Sequence, residues 1–199
     1  MAGVKNNKME QKRLIIGMSG ASGAPLALAC LRELQHHREF ETHLIISNGA
    51  RLTIEQETKL PFAEFTHLAD FYHEIQSVGD GPASGTFSTC GMLIVPCSMK
   101  TATGIRNGFS DNLLLRAADV TVKEKRTLVL AVRETPLSPI HLSNLLELSR
   151  LQNVWIIPPM LTYYNQASSI EEMTRQAAGK LLSRFGIQLE GYQEWNGIK

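Results

Sequence analysis

The chain has 199 residues, 43% hydrophobic and 20% charged, about one domain with its own core. That composition excludes a disordered protein, a collagen-like repeat and a disulfide scaffold. Twenty Lys and Arg against nineteen Asp and Glu leave a net charge of +1, which excludes a basic field that grips nucleic acid by its phosphates.

The opening MAGVKNNKMEQKR reads as a polar tail over residues 1–12, without the apolar stretch of a signal peptide. Residues 13–18 then form a β-branched run that ends in Ser19-Gly20-Ala21-Ser22-Gly23-Ala24-Pro25, a buried strand followed by a glycine-rich turn. Leu26, Leu28, Ala29, Leu31 and Leu34 carry helical spacing to about residue 37. Residues 41–46 repeat the strand pattern, and Ser47 opens a helical segment to Glu57. Between 59 and 88 no pattern stands out, and 79–85 reads as a loop on composition. Residues 92–96 form a strand, and 111–125 a helix with Asp111 at its start. A strand at 128–132 precedes a helix after Ser138, and a strand at 154–157 precedes a helix over 169–185.

Strands alternating with helices predict a single α/β domain over 13–187, doubly wound on a mainly parallel sheet in a Rossmann- or flavodoxin-like three-layer sandwich. Residues 188–199 read as a C-terminal tail. Three cysteines without CxxC spacing and no apolar run of membrane length predict a cytoplasmic protein with no membrane contact. His36, His37, His43, His67, His73 and His141 lack metal-ligand spacing, so no metal is expected. Trp155 reads as core, Trp195 as a contact to a neighbouring subunit, and Cys97 as a thiol without a redox role. Leu113, Leu114 and Leu115 beside Arg116 place apolar residues on more than one helix face, which predicts an oligomer.

In such folds ligands bind beyond the carboxyl ends of the strands. The turn Gly20-Ala21-Ser22-Gly23 departs from GxGxxG and fits a phosphate cradle or a plain tight turn equally. Ser98, Lys100 and Thr101 suit an anion, and solvated loop polarity explains them as well. Arg133-Glu134 follows the next strand. Two anion-suited turns point to a nucleotide, and the absence of an acidic ribose clamp favours FMN over a dinucleotide.

GASG at 20–23, the run from PCSMKTATGIRNG at 96–108 through LLLRAADVTVKEKR to AVRETPLSPIHLSNLLELS ending at 149, and the pair Tyr164 and Lys180 resemble the UbiX family of flavin prenyltransferases. Within it, the likeness is nearest to the branch associated with phenolic or hydroxyarylic acid decarboxylases. The resemblance implies transfer of a dimethylallyl group from dimethylallyl phosphate to N5 and C6 of reduced FMN. The prenylated FMN then serves a separate UbiD-like decarboxylase. It implies an FMN site of Gly20, Ala21, Ser22, Ser47, Ser98, Met99, Lys100, Thr101 and Arg133, with Ser22 near the flavin N5. It implies a donor site of Arg116, Lys123, Tyr164 and Lys180, and active-site carboxylates at Glu57 and Glu134. Sites between subunits of trimers that build dodecamers are part of the same expectation, with Arg116 acting on a neighbour's ligand. One departure stands out: many members carry a Trp shortly before the PASG-type loop, where this chain reads Ser77-Val78-Gly79-Asp80-Gly81-Pro82.

A carrier protein that binds FMN without transferase activity is the alternative, and the cluster Lys123, Glu134, Tyr164 and Lys180 argues against it, because a carrier needs no second phosphate pocket. The His and PxMN-type motif expected of a phosphopantothenoylcysteine-decarboxylase-like flavoprotein are not evident.

Overall fold

A computed structural model describes residues 11–197, so the expected polar tail lies almost wholly outside the described residues. Six strands are β1 (Lys12–Met18), β2 (Phe40–Ile46), β3 (Phe71–His73), β4 (Gly91–Cys97), β5 (Thr127–Val132) and β6 (Val154–Ile156). They form one sheet in the order β3-β2-β1-β4-β5-β6, with every pair parallel. Seven helices join them: α1 (Ala24–Leu34), α2 (Asn48–Glu57), α3 (Phe62–Thr66), α4 (Met99–Arg106), α5 (Leu113–Lys123), α6 (Pro139–Ser149) and α7 (Ile170–Leu182).

Strand side chains alternate between two cores. Leu14, Ile16, Leu44, Leu93 and Val129 pack under α1, α2, α3 and α7, whereas Ile15, Ile45, Met92, Ile94 and Leu128 pack under α4, α5 and α6. The expected doubly wound three-layer sandwich is therefore the fold, and the sheet stands between two separate helical layers.

Boundaries depart from expectation where side chains outvote apolar pattern. Residues 59–88, read as unpatterned, hold α3, β3 and a short 3-10 turn over Gly81–Ala83. Three residues are too few to show alternation. β3 is held instead by Asp70, whose Oδ2 accepts from the N–H (2.7 Å) and hydroxyl (2.8 Å) of Thr42, and by His43 stacked on Phe71 at 4.9 Å. Asp111 does not start α5: Asn112 is the cap, its side chain accepting from the Leu115 N–H at 3.0 Å. α1 stops at Leu34, and the last predicted turn of α7 is a 3-10 turn over Ser183–Phe185. Trp155 is not core. It lies on edge strand β6, 44% exposed, with the Arg184 guanidinium over its ring at 4.5 Å.

Two polar clusters tie the strands. At the carboxyl ends, the buried Ser19 hydroxyl donates to the Pro96 carbonyl (3.2 Å) and accepts from the Ser98 N–H (2.7 Å), joining β1 to β4. Ser19→Ala leaves the part-buried Ser98 N–H without its partner, a cost of about 1–3 kcal/mol. We expect a melting temperature lower by roughly 2–10 °C; an unchanged value would show that another group takes the bond.

On the other side of β1, Arg13 donates to Glu41 (2.8 Å), Glu41 meets His43 (3.0 Å), His43 meets His73 (2.9 Å) and His73 meets Asp80 (2.7 Å). Burial pushes the His43 imidazole below the usual histidine value. Burial would raise Glu41, but hydrogen bonds from His43 and Arg13 hold it below the usual carboxylate range. Both folded values lie below the unfolded ones, so the unfolded chain takes up protons first and stability falls with acid, from about pH 6.5 for His43 and about pH 4.3 for Glu41. Thermal melts across pH should show this fall, and Glu41→Gln should flatten its lower limb; an equally steep lower limb in the variant would contradict the assignment.

Candidate active site

The chain leaves β1 toward β2 and leaves β4 toward β5, so the carboxyl ends of these adjacent strands open a crevice. Three turns meet there. The turn after β1 presses against the start of α2: a Cβ on Gly20 would lie 3.0 Å from the Gly49 Cα, so glycine at both positions lets the two backbones approach this closely. Ser47 caps α2, accepting from the Ala50 N–H at 3.2 Å, and its own N–H donates to the Met18 carbonyl at 3.0 Å. Ser98 caps α4, accepting from the Thr101 N–H at 3.3 Å and donating to the Thr101 hydroxyl at 3.2 Å. The Arg133 N–H donates to the Cys97 carbonyl at 3.1 Å, which brings the end of β5 to the same edge.

No acidic side chain occupies the first turn of α1, α2 or α4, so the positive ends of these helices face the crevice. Glu57 fills the one at α1: its Oε2 accepts from the N–H groups of Gly23 (2.8 Å) and Ala24 (2.9 Å). The carboxylate thereby fixes the shape of the glycine turn and leaves the starts of α2 and α4 open to an anion, with Lys100 beside the second. Gly20, Ala21, Ser22, Ser47, Ser98, Lys100, Thr101 and Arg133 thus gather around one crevice. Met99 belongs to them only through its backbone, because its side chain is buried in the core. Ser22, Lys100, Arg133 and Glu134 are exposed at the rim, and Glu134 accepts from the Thr135 N–H at 3.0 Å. Burial pushes the Cys97 thiol up to about 12, so it stays protonated and unreactive at neutral pH.

Tyr164 and Lys180 share a cavity of about 390 Å³ between the segment after β6 and α7, with Gln176 and Tyr192 also in its wall. Arg116 and Lys123 are elsewhere. Arg116 donates to the Ala83 carbonyl (3.1 Å) and pairs with Asp119 (2.8 Å), and Lys123 pairs with Glu124. α5 starts at the carboxyl edge, where the Leu113 N–H donates to the Ile75 carbonyl at 2.8 Å. It ends beside Gly85, just ahead of β4, at the amino edge. At 1.5 Å per residue Lys123 is roughly 15 Å along the helix from that start. α7 lies on the α1 face and α5 on the opposite one. The single cluster of Arg116, Lys123, Tyr164 and Lys180 expected from sequence is therefore split by the sheet within one chain.

Sequence reasoning missed Ser19, Gly49 and Gln176. Ser19 opens the glycine turn, but nothing local distinguishes its buried hydroxyl from an exposed one. Gly49 is a lone glycine whose partner is 29 positions away, and Gln176 looks like any polar residue on an amphipathic helix.

The glycine-lined crevice, with open helix N-termini at α2 and α4, fits a flavin mononucleotide, which carries a phosphate and a flat ring system. A flavoprotein family model matches residues 3–179. A probable UbiX-like flavin prenyltransferase of Streptomyces sp. (strain D7) is 46% identical over 187 residues, which is 94% of this chain and 93% of that protein. The dodecameric FMN-dependent UbiX-like decarboxylase of Escherichia coli O157:H7 matches with a TM-score of 0.91 at 44% identity, covering 93% of this chain and 100% of that one. AnUbiX (PadA1), solved in complex with FMN and dimethylallyl pyrophosphate, matches with a TM-score of 0.91 at 42% identity, covering 95% of this chain and 100% of that one. Sequence and fold agree over nearly the whole length, and the chain belongs to the UbiX-like flavin prenyltransferase family.

Proposed function

We propose that the chain joins the dimethylallyl group of dimethylallyl phosphate to N5 and C6 of reduced FMN, releasing phosphate, and that the product passes to a UbiD-like aromatic acid decarboxylase. The observation that carries this reading is the second cavity, with Tyr164 and Lys180 in its wall and at the same carboxyl edge of the sheet as the flavin crevice. A flavin carrier has no use for it. Reduced FMN supplies the nucleophile; the chain supplies grip, charge and proton movement. Backbone groups of Gly20 and Ala21, together with Ser47 and the Ser98–Thr101 turn, hold the flavin, with the phosphate at the start of α4 and Arg133 at its rim. Ser22, exposed on the same turn, would offer its hydroxyl to the ring. Lys180 and the Tyr164 hydroxyl hold the donor phosphate and stabilise the negative charge that grows on it as the allylic bond breaks. Glu134, exposed at the end of β5, moves the proton that must leave when the second bond forms. Glu57 acts at one remove, by setting the turn that carries Ser22.

Arg116 and Lys123 complete the donor site from a neighbouring copy, because the sheet keeps them from Tyr164 and Lys180 in their own chain. Exposed Ile140, Leu142 and Leu146 on α6 give such copies an apolar surface to bury, and a relative of this fold is dodecameric. The loop at Ser77–Pro82 offers no aromatic ring to the allylic group, and Phe87 beyond it is engaged under the Arg13 guanidinium at 4.6 Å. Among the described residues no helix is long and apolar enough to cross a membrane; the three free cysteines support a reducing compartment, and we propose the cytoplasm.

Anaerobic incubation with reduced FMN and dimethylallyl phosphate should release a flavin whose mass spectrum shows one added prenyl unit; unmodified FMN alone would favour the carrier reading. Glu134→Gln should slow transfer by about 10²–10⁴-fold with FMN affinity unchanged. Full turnover in that variant would assign the proton to another group.

A further inference from the structure

The segment after α7 folds back on the second cavity. Ile187 and Leu189 are buried, and the Tyr192 ring lies so close to Gly179 that a Cβ there would overlap it. Gln193 then pairs with the side chain of Gln176 through its backbone: its N–H donates to Oε1 at 3.1 Å, and its carbonyl accepts from Nε2 at 2.6 Å. The other Nε2 proton goes to the Tyr164 hydroxyl oxygen at 3.2 Å, and that hydroxyl donates to the same Gln193 carbonyl at 3.2 Å. Trp195 closes the group, edge to face on Tyr164 at 5.5 Å. Gln176 is only 5% exposed and stands one turn before Lys180 on α7.

A buried amide with both protons and its oxygen committed is a fixed point. We propose that Gln176 is a positioning residue for the donor phosphate: it holds the Tyr164 oxygen at the cavity, with the arm of residues 187–195 as the cavity's outer wall. The inference rests on reading this cavity as the donor site. A phenol has one proton, and here it points to the Gln193 carbonyl. When a phosphate enters beside Lys180, that proton turns to the phosphate oxygen, a stronger acceptor because it is charged. The Gln176 N–H keeps the Tyr164 oxygen in place meanwhile. One helix therefore sets both groups that meet the phosphate, and the segment that reads as a tail in the sequence is part of the site.

The chain has two tryptophans, so Trp155→Phe leaves Trp195 as the sole reporter in the FMN-loaded oligomer. Titration with dimethylallyl phosphate should change its fluorescence. In that background Gln176→Met, which keeps length but loses the hydrogen bonds, should weaken donor binding about tenfold or more, raising KM with little change in kcat. Tyr164→Phe should weaken it similarly, and the double variant should be no worse than Tyr164→Phe alone. Gln193→Pro, at an exposed arm position where the core is untouched, removes the N–H to Gln176 and should weaken donor binding severalfold. Unchanged donor affinity in both Gln176→Met and Gln193→Pro, or losses that multiply in the double variant, would overturn the proposal. The transferase reading is tested separately by the same samples: donor binding with this variant pattern but no prenyl transfer would overturn that reading and leave the positioning role standing.

Discussion

A parallel sheet covered on both faces keeps its two helical layers apart, and that separation governs what one copy of this chain can do alone. α7 brings Tyr164 and Lys180 together on the α1 face, and α5 carries Arg116 and Lys123 on the other. The sheet between them is continuous, and its central strand β4 is buried along its whole length. Any chemistry that needs both pairs must draw them from different copies, so assembly is a condition of the proposed reaction rather than an addition to it.

The crevice proposed for the flavin depends on a different constraint, the close approach of three turns at the point where the chain reverses its direction of winding. Ser19 ties the first to the third, glycines allow the first to touch the second, and Glu57 fills the α1 amides so that the first keeps its shape. The outcome is two open helix N-termini, at α2 capped by Ser47 and at α4 capped by Ser98, the second flanked by Lys100. An anion site built of backbone dipoles is rigid before its ligand arrives, which lowers the ordering cost of binding.

Much of this was legible in the sequence because central parallel strands are apolar on both faces and read as continuous β-branched runs. Residues 92–96 and 128–132 are of this kind, and the strands found there run only a residue or so longer. The 59–88 stretch failed because β3 is held by Asp70 and by the stacking of His43 on Phe71, pairings between side chains far apart in sequence. Trp155 failed because an edge strand has one uncovered face, which residue type does not reveal. At the crevice, the turns were legible from small and polar residues after each strand, but Ser19 and Gly49 act through contacts that no local pattern encodes. The residues after 187 read as a tail because their composition is polar; their hold on α7 runs through backbone groups and one buried amide.

The most direct measurement of the composite-site account is complementation between two inactive variants. Lys123→Ala and Lys180→Ala should each lose prenyl transfer as pure oligomers. If each site takes Lys123 from one copy and Lys180 from another, co-assembly of equal amounts should restore activity in roughly a quarter of the sites by random assortment of subunits. Mixed oligomers that form, as shown by differential tagging, and yet stay inactive would contradict the account.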